Sequence, residues 1–129
     1  MKRIFIFLLL VTNISFCYAQ YNKEKLTEIL TGGSTKTWTV KAMNAAPPEK
    51  SYTFNKDFSV NIGMDNGTPQ AKKWALSTAD NIRWFISIGN QKYELIVSYD
   101  KAGKQYVKLT NQAGDKASVY SETILYPVK

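Results

Sequence analysis

Few side chains in this sequence could carry out catalysis or bind a metal. The 129 residues contain no histidine and a single cysteine, Cys17. Histidine is the commonest general base and the commonest zinc ligand, so its absence excludes every Ser-His-Asp arrangement. Any thiol chemistry would depend on Cys17, which lies close to the N-terminus. We therefore expect no catalytic residue, no metal site and no cofactor, and we expect the protein not to be an enzyme.

Carboxylates are the remaining candidates for catalysis or metal binding. Glu94 and Glu122 could form the acid pair that a glycosidase holds across a cleft. Glu94, however, alternates with the apolar Tyr93 and Leu95, which is typical of an outward, solvated position, and Glu122 follows the same pattern. Asp65-Asn66-Gly67 offers oxygen ligands for calcium, but too few charges gather there. The sequence favours solvated carboxylates and a plain turn.

The N-terminus has the order of a secretory leader. Lys2 and Arg3 are followed by the unbroken apolar run Ile4–Val11, and Ala19 is a small residue suited to cleavage. The apolar run is too short to span a bilayer as a helix. We predict a signal peptide over 1–19 and a single domain over 20–129, located in the periplasm or secreted.

A lipid anchor is the alternative to plain cleavage. Ile14-Ser15-Phe16-Cys17 resembles a degraded lipoprotein signal, in which Cys17 would be retained and lipidated. The bulky Phe16 stands where such signals have a small residue, so cleavage after Ala19 is favoured. Membrane attachment is expected only if Cys17 is lipidated. If the leader is removed, no thiol remains to form a disulfide.

The charge of the secreted part does not indicate a nucleic-acid partner. Two of the 17 basic residues lie in the leader, which leaves 15 against 10 acidic residues and a net charge of +5. Arg83 is then the only arginine, whereas bidentate contacts to bases commonly use arginine. The lysines are scattered along the chain, which is typical of a solvated surface with protected strand edges.

One short helix is predicted before a long series of strands. Leu26, Ile29 and Leu30 share a helical face within 22–30, Asn22 is a candidate N-cap, and Gly32-Gly33 provides the C-terminal cap. From Lys36 onward the apolar residues recur every second position. Eight strands are predicted near 36–43, 50–55, 58–62, 71–77, 81–88, 91–99, 104–110 and 117–126.

The connections between these strands are short, so consecutive strands should pair as antiparallel neighbours. The predicted fold is all-β, an eight-stranded antiparallel up-and-down barrel with one short N-terminal helix. Closing into a barrel would remove the exposed strand edges. A sandwich is the alternative, since the residue pattern alone does not separate the two.

The junction between helix and first strand carries a family resemblance. Leu30-Thr31-Gly32-Gly33-Ser34-Thr35-Lys36-Thr37-Trp38-Thr39-Val40 resembles the lipocalin-like domains of small secreted Bacteroidetes proteins. Lipocalins themselves open with Gly-x-Trp, where this chain has Lys36-Thr37-Trp38. The resemblance implies an eight-stranded lipocalin-like barrel with Trp38 packed at the closed end near the helix. It also implies the binding of a small ligand, although a fold by itself does not establish a function.

An eight-stranded barrel is wide enough either to fill with side chains or to hold one small ligand. Both outcomes stay open from the sequence. The candidate ligand-binding residues are the large aromatic ones on the inward face: Trp38, Trp74, Trp84 and Tyr93. With them, we expect a protein that binds a small apolar or amphipathic molecule in the barrel.

The alternative function is a protein-interaction or inhibitor module of the bacterial envelope. It would use the loops 44–49 and 63–70 and an outer face that carries aromatic residues. Those residues are Phe85, Tyr106, Tyr120 and Tyr126. The partner would then be an envelope or secreted protein.

Overall fold

Eight antiparallel strands form a closed up-and-down barrel in which each strand pairs with its neighbours in sequence and β8 pairs with β1. The computed structural model describes residues 21–41, 48–111 and 122–128. The predicted all-β barrel with one short helix is confirmed. Its elements are α1 (Lys23–Thr31), β1 (Thr35–Lys41), β2 (Glu49–Asn55), β3 (Ser59–Met64), β4 (Gln70–Thr78), β5 (Trp84–Ile88), β6 (Gln91–Tyr99), β7 (Gln105–Asn111) and β8 (Glu122–Pro127).

The helix α1 begins and ends at the predicted caps. The Asn22 side chain accepts a hydrogen bond from the Lys25 N–H at 2.7 Å, and this satisfies one of the free donors of the first turn. Gly32 adopts the left-handed conformation, with φ of 62°, and its N–H donates to the Glu28 carbonyl. Leu26 and Leu30 are buried, so the apolar face of the helix packs on the barrel.

Strand β5 begins three residues later than predicted because of a local turn. The Asp80 carboxylate accepts the N–H groups of Ile82 and Arg83, both at 2.9 Å, and Asn81 has a positive φ of 62°. An aspartate that binds the backbone two residues on competes with strand pairing. Ile82, which lies within the predicted strand 81–88, is therefore outside β5 and 66% exposed.

The core fills the barrel from the end that α1 covers. We call this the helix end; there β2 joins β3, β4 joins β5 and β6 joins β7. Burying each large apolar side chain contributes about 1.5–3 kcal/mol relative to leaving it exposed, so this core is the main stabilising feature. The fully buried strand residues are Trp38, Phe54, Val60, Ile86, Val107, Leu109 and Leu125.

Several predicted features lie outside the described residues. They are the leader with Cys17, the last residues of the first predicted strand, most of the loop 44–49, and the beginning of the eighth strand with Tyr120. Within the described ranges, no helix has the length and apolar character needed to cross a membrane.

Candidate functional site

At the end of the barrel opposite α1, the described residues leave an opening. We call this the mouth; it is formed where β1, β3, β5 and β7 end and β2, β4, β6 and β8 begin. It contains a cavity of about 490 Å³, within the range of small-molecule sites. The cavity is lined by Val40, Lys41, Glu49, Tyr52, Ile62, Gln70, Lys72, Ile88, Gln91, Tyr93, Asn111, Glu122 and Thr123.

The strand period explains how polar residues come to line the mouth. In a strand, alternate residues share one face, so Gln70 and Lys72 point the same way as the buried Trp74 and Leu76. The inward face of β4 thus changes from polar at the mouth to apolar toward the helix end. Consequently the cavity has a polar wall above an apolar core.

Two tyrosines from opposite sides of the barrel line the cavity. Tyr52 lies on β2 and Tyr93 on β6, four strands apart in either direction around the eight-stranded barrel. Burial raises the pKa of Tyr52 far above its ordinary value of 10.0, with further contributions from Tyr93 and Glu49. The pKa of Tyr93 is raised by burial and then by Glu49. Both tyrosines line the same cavity as Glu49.

The three tryptophans that the sequence nominated for ligand binding lie in the packed core. Trp38 donates its indole N–H to the Leu30 carbonyl at 3.0 Å, and Trp84 donates to the Tyr21 carbonyl at 3.1 Å. Trp74 donates to the carbonyls of Asn55 and Ser59. All three are at most 9% exposed, and none lines the mouth cavity.

Of the four nominated residues, only Tyr93 lies in the cavity wall. The others close the helix end, and each indole joins the sheet to a turn or to the helix segment. The polar inward residues near the strand ends were missed, in particular Glu49, Gln70, Lys72 and Gln91. The signal was available for Gln70, Lys72 and Gln91, because each stands at an inward position of a strand whose inward residues farther from the mouth are apolar. Glu49 does not alternate with the inward Tyr52 and Phe54, and the register shift between Glu49 and Ser51 brings it to the cavity wall.

The two strand carboxylates considered for catalysis each have a cationic neighbour. Arg83 donates two hydrogen bonds of 3.1 Å to the Glu94 carboxylate, and these bonds raise the pKa of the guanidinium. Glu122 lies 3.6 Å from the Lys108 ammonium. Asp65 similarly pairs with Lys50 at 3.3 Å. Over the described residues, no group of three or more candidate metal ligands occurs.

Stability at alkaline pH should report the burial of the Tyr52 phenol. Its folded pKa lies above the unfolded value of 10.0, so the folded state keeps the proton longer than the unfolded state. The stabilisation is therefore complete below pH 10 and is lost as the pH rises through the folded pKa, at up to about 1.4 kcal/mol per pH unit. We expect Tyr52→Phe to reduce the slope of unfolding free energy against pH above 10, measured by urea denaturation.

The matched control is Tyr99→Phe, because Tyr99 is 57% exposed. It should leave the alkaline slope close to that of the unmodified protein. If the unmodified protein and Tyr52→Phe had equal slopes of unfolding free energy against pH above 10, the prediction of a buried, protonated Tyr52 phenol would be wrong.

Comparison with known proteins gives no relative from which a function could be transferred. No family model matches the chain, and no curated protein or solved structure matches it significantly.

Proposed function

We propose that this chain is a secreted or periplasmic, non-enzymatic binding protein that holds a small amphipathic ligand in the barrel mouth. The observation that carries the proposal is the cavity of about 490 Å³, which the described residues leave open at one end of a barrel whose other end is packed and covered by α1. The wall of this cavity is mainly polar, with Val40, Ile62 and Ile88 as its aliphatic part, so a ligand would find polar and apolar contacts together.

The walls of the cavity suit a ligand with two kinds of surface. Val40, Ile62 and Ile88 offer aliphatic contact, while Gln70 and Gln91 offer amide donors and acceptors. Burying the apolar part of a ligand provides affinity, and the amides orient its polar part. Tyr93 contributes both through its ring and its hydroxyl.

Two features support the non-enzymatic and secreted parts of the proposal. The sequence contains no histidine, and Glu94 and Glu122, the carboxylates considered for catalysis, each pair with a separate cation. The charged, apolar and small-residue order of positions 1–19 is that of a cleavable leader.

The experiment is a titration of ligand-stripped, ¹⁵N-labelled protein with extracts of its own cells, followed by amide NMR. Shifts should concentrate on residues of the mouth. Tyr93→Ala should weaken the affinity for the ligand about tenfold, which corresponds to roughly 1.4 kcal/mol of binding free energy. Tyr99→Ala, on the same strand but at the helix end, is the matched control and should bind normally.

An absence of shifts at the mouth with every extract would contradict the proposal. Shifts confined to the outer face would favour the alternative, a protein-interaction module.

A specific observation supports that second candidate. The ring centres of Tyr106 and Tyr126 lie 5.5 Å apart on the outside of the barrel, and the ammonium groups of Lys41 and Lys104 each lie 5.6 Å from the centre of the Tyr126 ring. Aromatic rings with nearby cations are common in protein interfaces.

A further inference from the structure

We infer that the mouth cavity is built for a zwitterion, a molecule that carries an ammonium group, an anionic group and an apolar body. This inference rests on the proposed function and specifies the ligand class of the same site. It follows from the four charged residues of the cavity wall, Lys41, Glu49, Lys72 and Glu122, whose formal charges sum to zero.

Two of these four charges are satisfied away from the cavity. The Lys41 ammonium lies 5.6 Å from the centre of the Tyr126 ring, which belongs to the outer face. Glu122 pairs with Lys108 at 3.6 Å. These contacts hold both side chains at the outer side of the rim, where solvent screens them.

The other two charges remain unpaired among the described residues. Neither Glu49 nor Lys72 has an ion-pair partner within 4.0 Å in the described ranges, and they do not pair with each other. Strand β3 lies between their strands, and Glu49 pairs there with Met64 whereas Lys72 pairs with Val60. Their backbones are therefore separated by about 10 Å across the strands and by about 13 Å along β3. A carboxylate and an ammonium thus face one cavity from separate positions.

The surroundings of Glu49 suit an ammonium group. Glu49 is half-buried and lines the same cavity as Tyr52 and Tyr93, and its charge adds to the effect of burial, which raises the pKa of both phenols. A cation placed among them would neutralise the carboxylate and also meet two electron-rich rings. A charge-assisted hydrogen bond of this kind is stronger when it is partly removed from water.

The surroundings of Lys72 suit an anionic group on the opposite part of the ligand. Lys72 is half-buried, and its side chain runs past Gly89, where an added Cβ would come within 3.0 Å of Lys72 Cδ. Glycine at position 89 therefore leaves the space through which this side chain reaches the mouth. Between the two charges, Val40, Ile62 and Ile88 form the apolar part of the wall.

An amino acid or short peptide with apolar side chains has this distribution of groups. The test uses isothermal titration calorimetry with the dipeptide Leu-Phe, its N-acetylated form, its C-terminal amide and the doubly blocked form. Blocking either end should weaken binding about 10- to 100-fold, the range expected for one charge-assisted hydrogen bond. Glu49→Gln should weaken binding of the free dipeptide by the same factor and should leave binding of the N-acetylated form unaffected.

Lys72→Met should show the complementary pattern. It should weaken binding of the free dipeptide and leave binding of the C-terminal amide unaffected. The matched controls are Lys23→Met and Glu24→Gln, which remove exposed charges on α1 and should bind like the unmodified protein. Amide NMR of each variant checks that the barrel is intact.

Failure of the inference is distinguishable from failure of the proposed function. Equal affinity for free and doubly blocked dipeptides, or no binding of free Leu-Phe at millimolar concentration, would overturn the zwitterion assignment. If cell extracts still shifted the mouth amides in either case, the proposed binding function would stand with a different ligand class. If they did not, both would fall.

Discussion

Replacing Trp38 with alanine should lower the free energy of unfolding by about 3–5 kcal/mol. The side chain is fully buried, so its removal leaves a cavity in the core. It also removes the hydrogen bond to the Leu30 carbonyl, one of the last carbonyls of α1, which have no partner within the helix. Because small domains are typically stable by about 5–15 kcal/mol, this single change could bring the barrel close to unfolding.

Urea denaturation of Trp38→Ala, Trp38→Phe and Tyr99→Ala separates the contributions. The phenylalanine retains much of the apolar volume but leaves the Leu30 carbonyl unpaired, so we expect a loss of about 1–3 kcal/mol. Tyr99→Ala, at an exposed position, should change stability by about 0.5 kcal/mol or less. A cost below about 1 kcal/mol for Trp38→Ala would show that the helix end is not held by this indole.

Filling the mouth should have the largest effect on binding. Thr123 is half-buried on β8 and lies in the cavity wall, so Thr123→Trp would place an indole in the space that we propose for the ligand. We expect affinity for the cellular ligand to fall at least about 100-fold, because the bound ligand would lose much of its buried contact. The fold should be retained, since the cavity has room for the larger side chain.

The control places the same side chain on the outside of the barrel. Thr39 is an exposed residue of β1 that pairs with Tyr126, so Thr39→Trp adds an indole without entering the mouth. Calorimetry or NMR titration of both variants should show binding for Thr39→Trp alone. Normal binding by Thr123→Trp would contradict a site in the mouth.

Much of the fold could be predicted because its signals are local. The alternation of Trp84, Ile86 and Ile88 defines an inward face. Gly103, with φ of 82°, occupies a left-handed turn position that glycine adopts without strain. Closure into a barrel was the less certain step. It depends on the pairing of β1 with β8, a contact between distant segments that no local pattern encodes.

Other local details could not be predicted from alternation. Phe58 has a positive φ of 69°, a conformation that glycine normally supplies, and its ring lies 5.0 Å from that of Trp74. A residue placed in strand three by its hydrophobicity is therefore part of the turn before it. The aromatic contact and the turn geometry outweigh its strand propensity.

The candidate site was harder to predict than the fold because residue size alone does not separate an aromatic side chain of the core from one that lines a cavity. Trp38 and Trp74 have the size of ligand-contacting residues, but their indole N–H groups bind backbone carbonyls and their rings fill the core. The mouth depends on where each strand ends relative to its neighbours. The register of β4 with β3 and β5 decides which of Gln70, Lys72 and Trp74 lies above the packed core. Register is a property of the folded sheet that the sequence of one strand does not specify.

Native mass spectrometry of the protein purified from its own cells is the most direct test of a ligand in the barrel mouth. We predict an added mass that disappears on denaturation, is retained in Thr39→Trp and is missing from Thr123→Trp. A bare protein mass for the unmodified chain, or the same added mass in Thr123→Trp, would contradict ligand binding in the mouth.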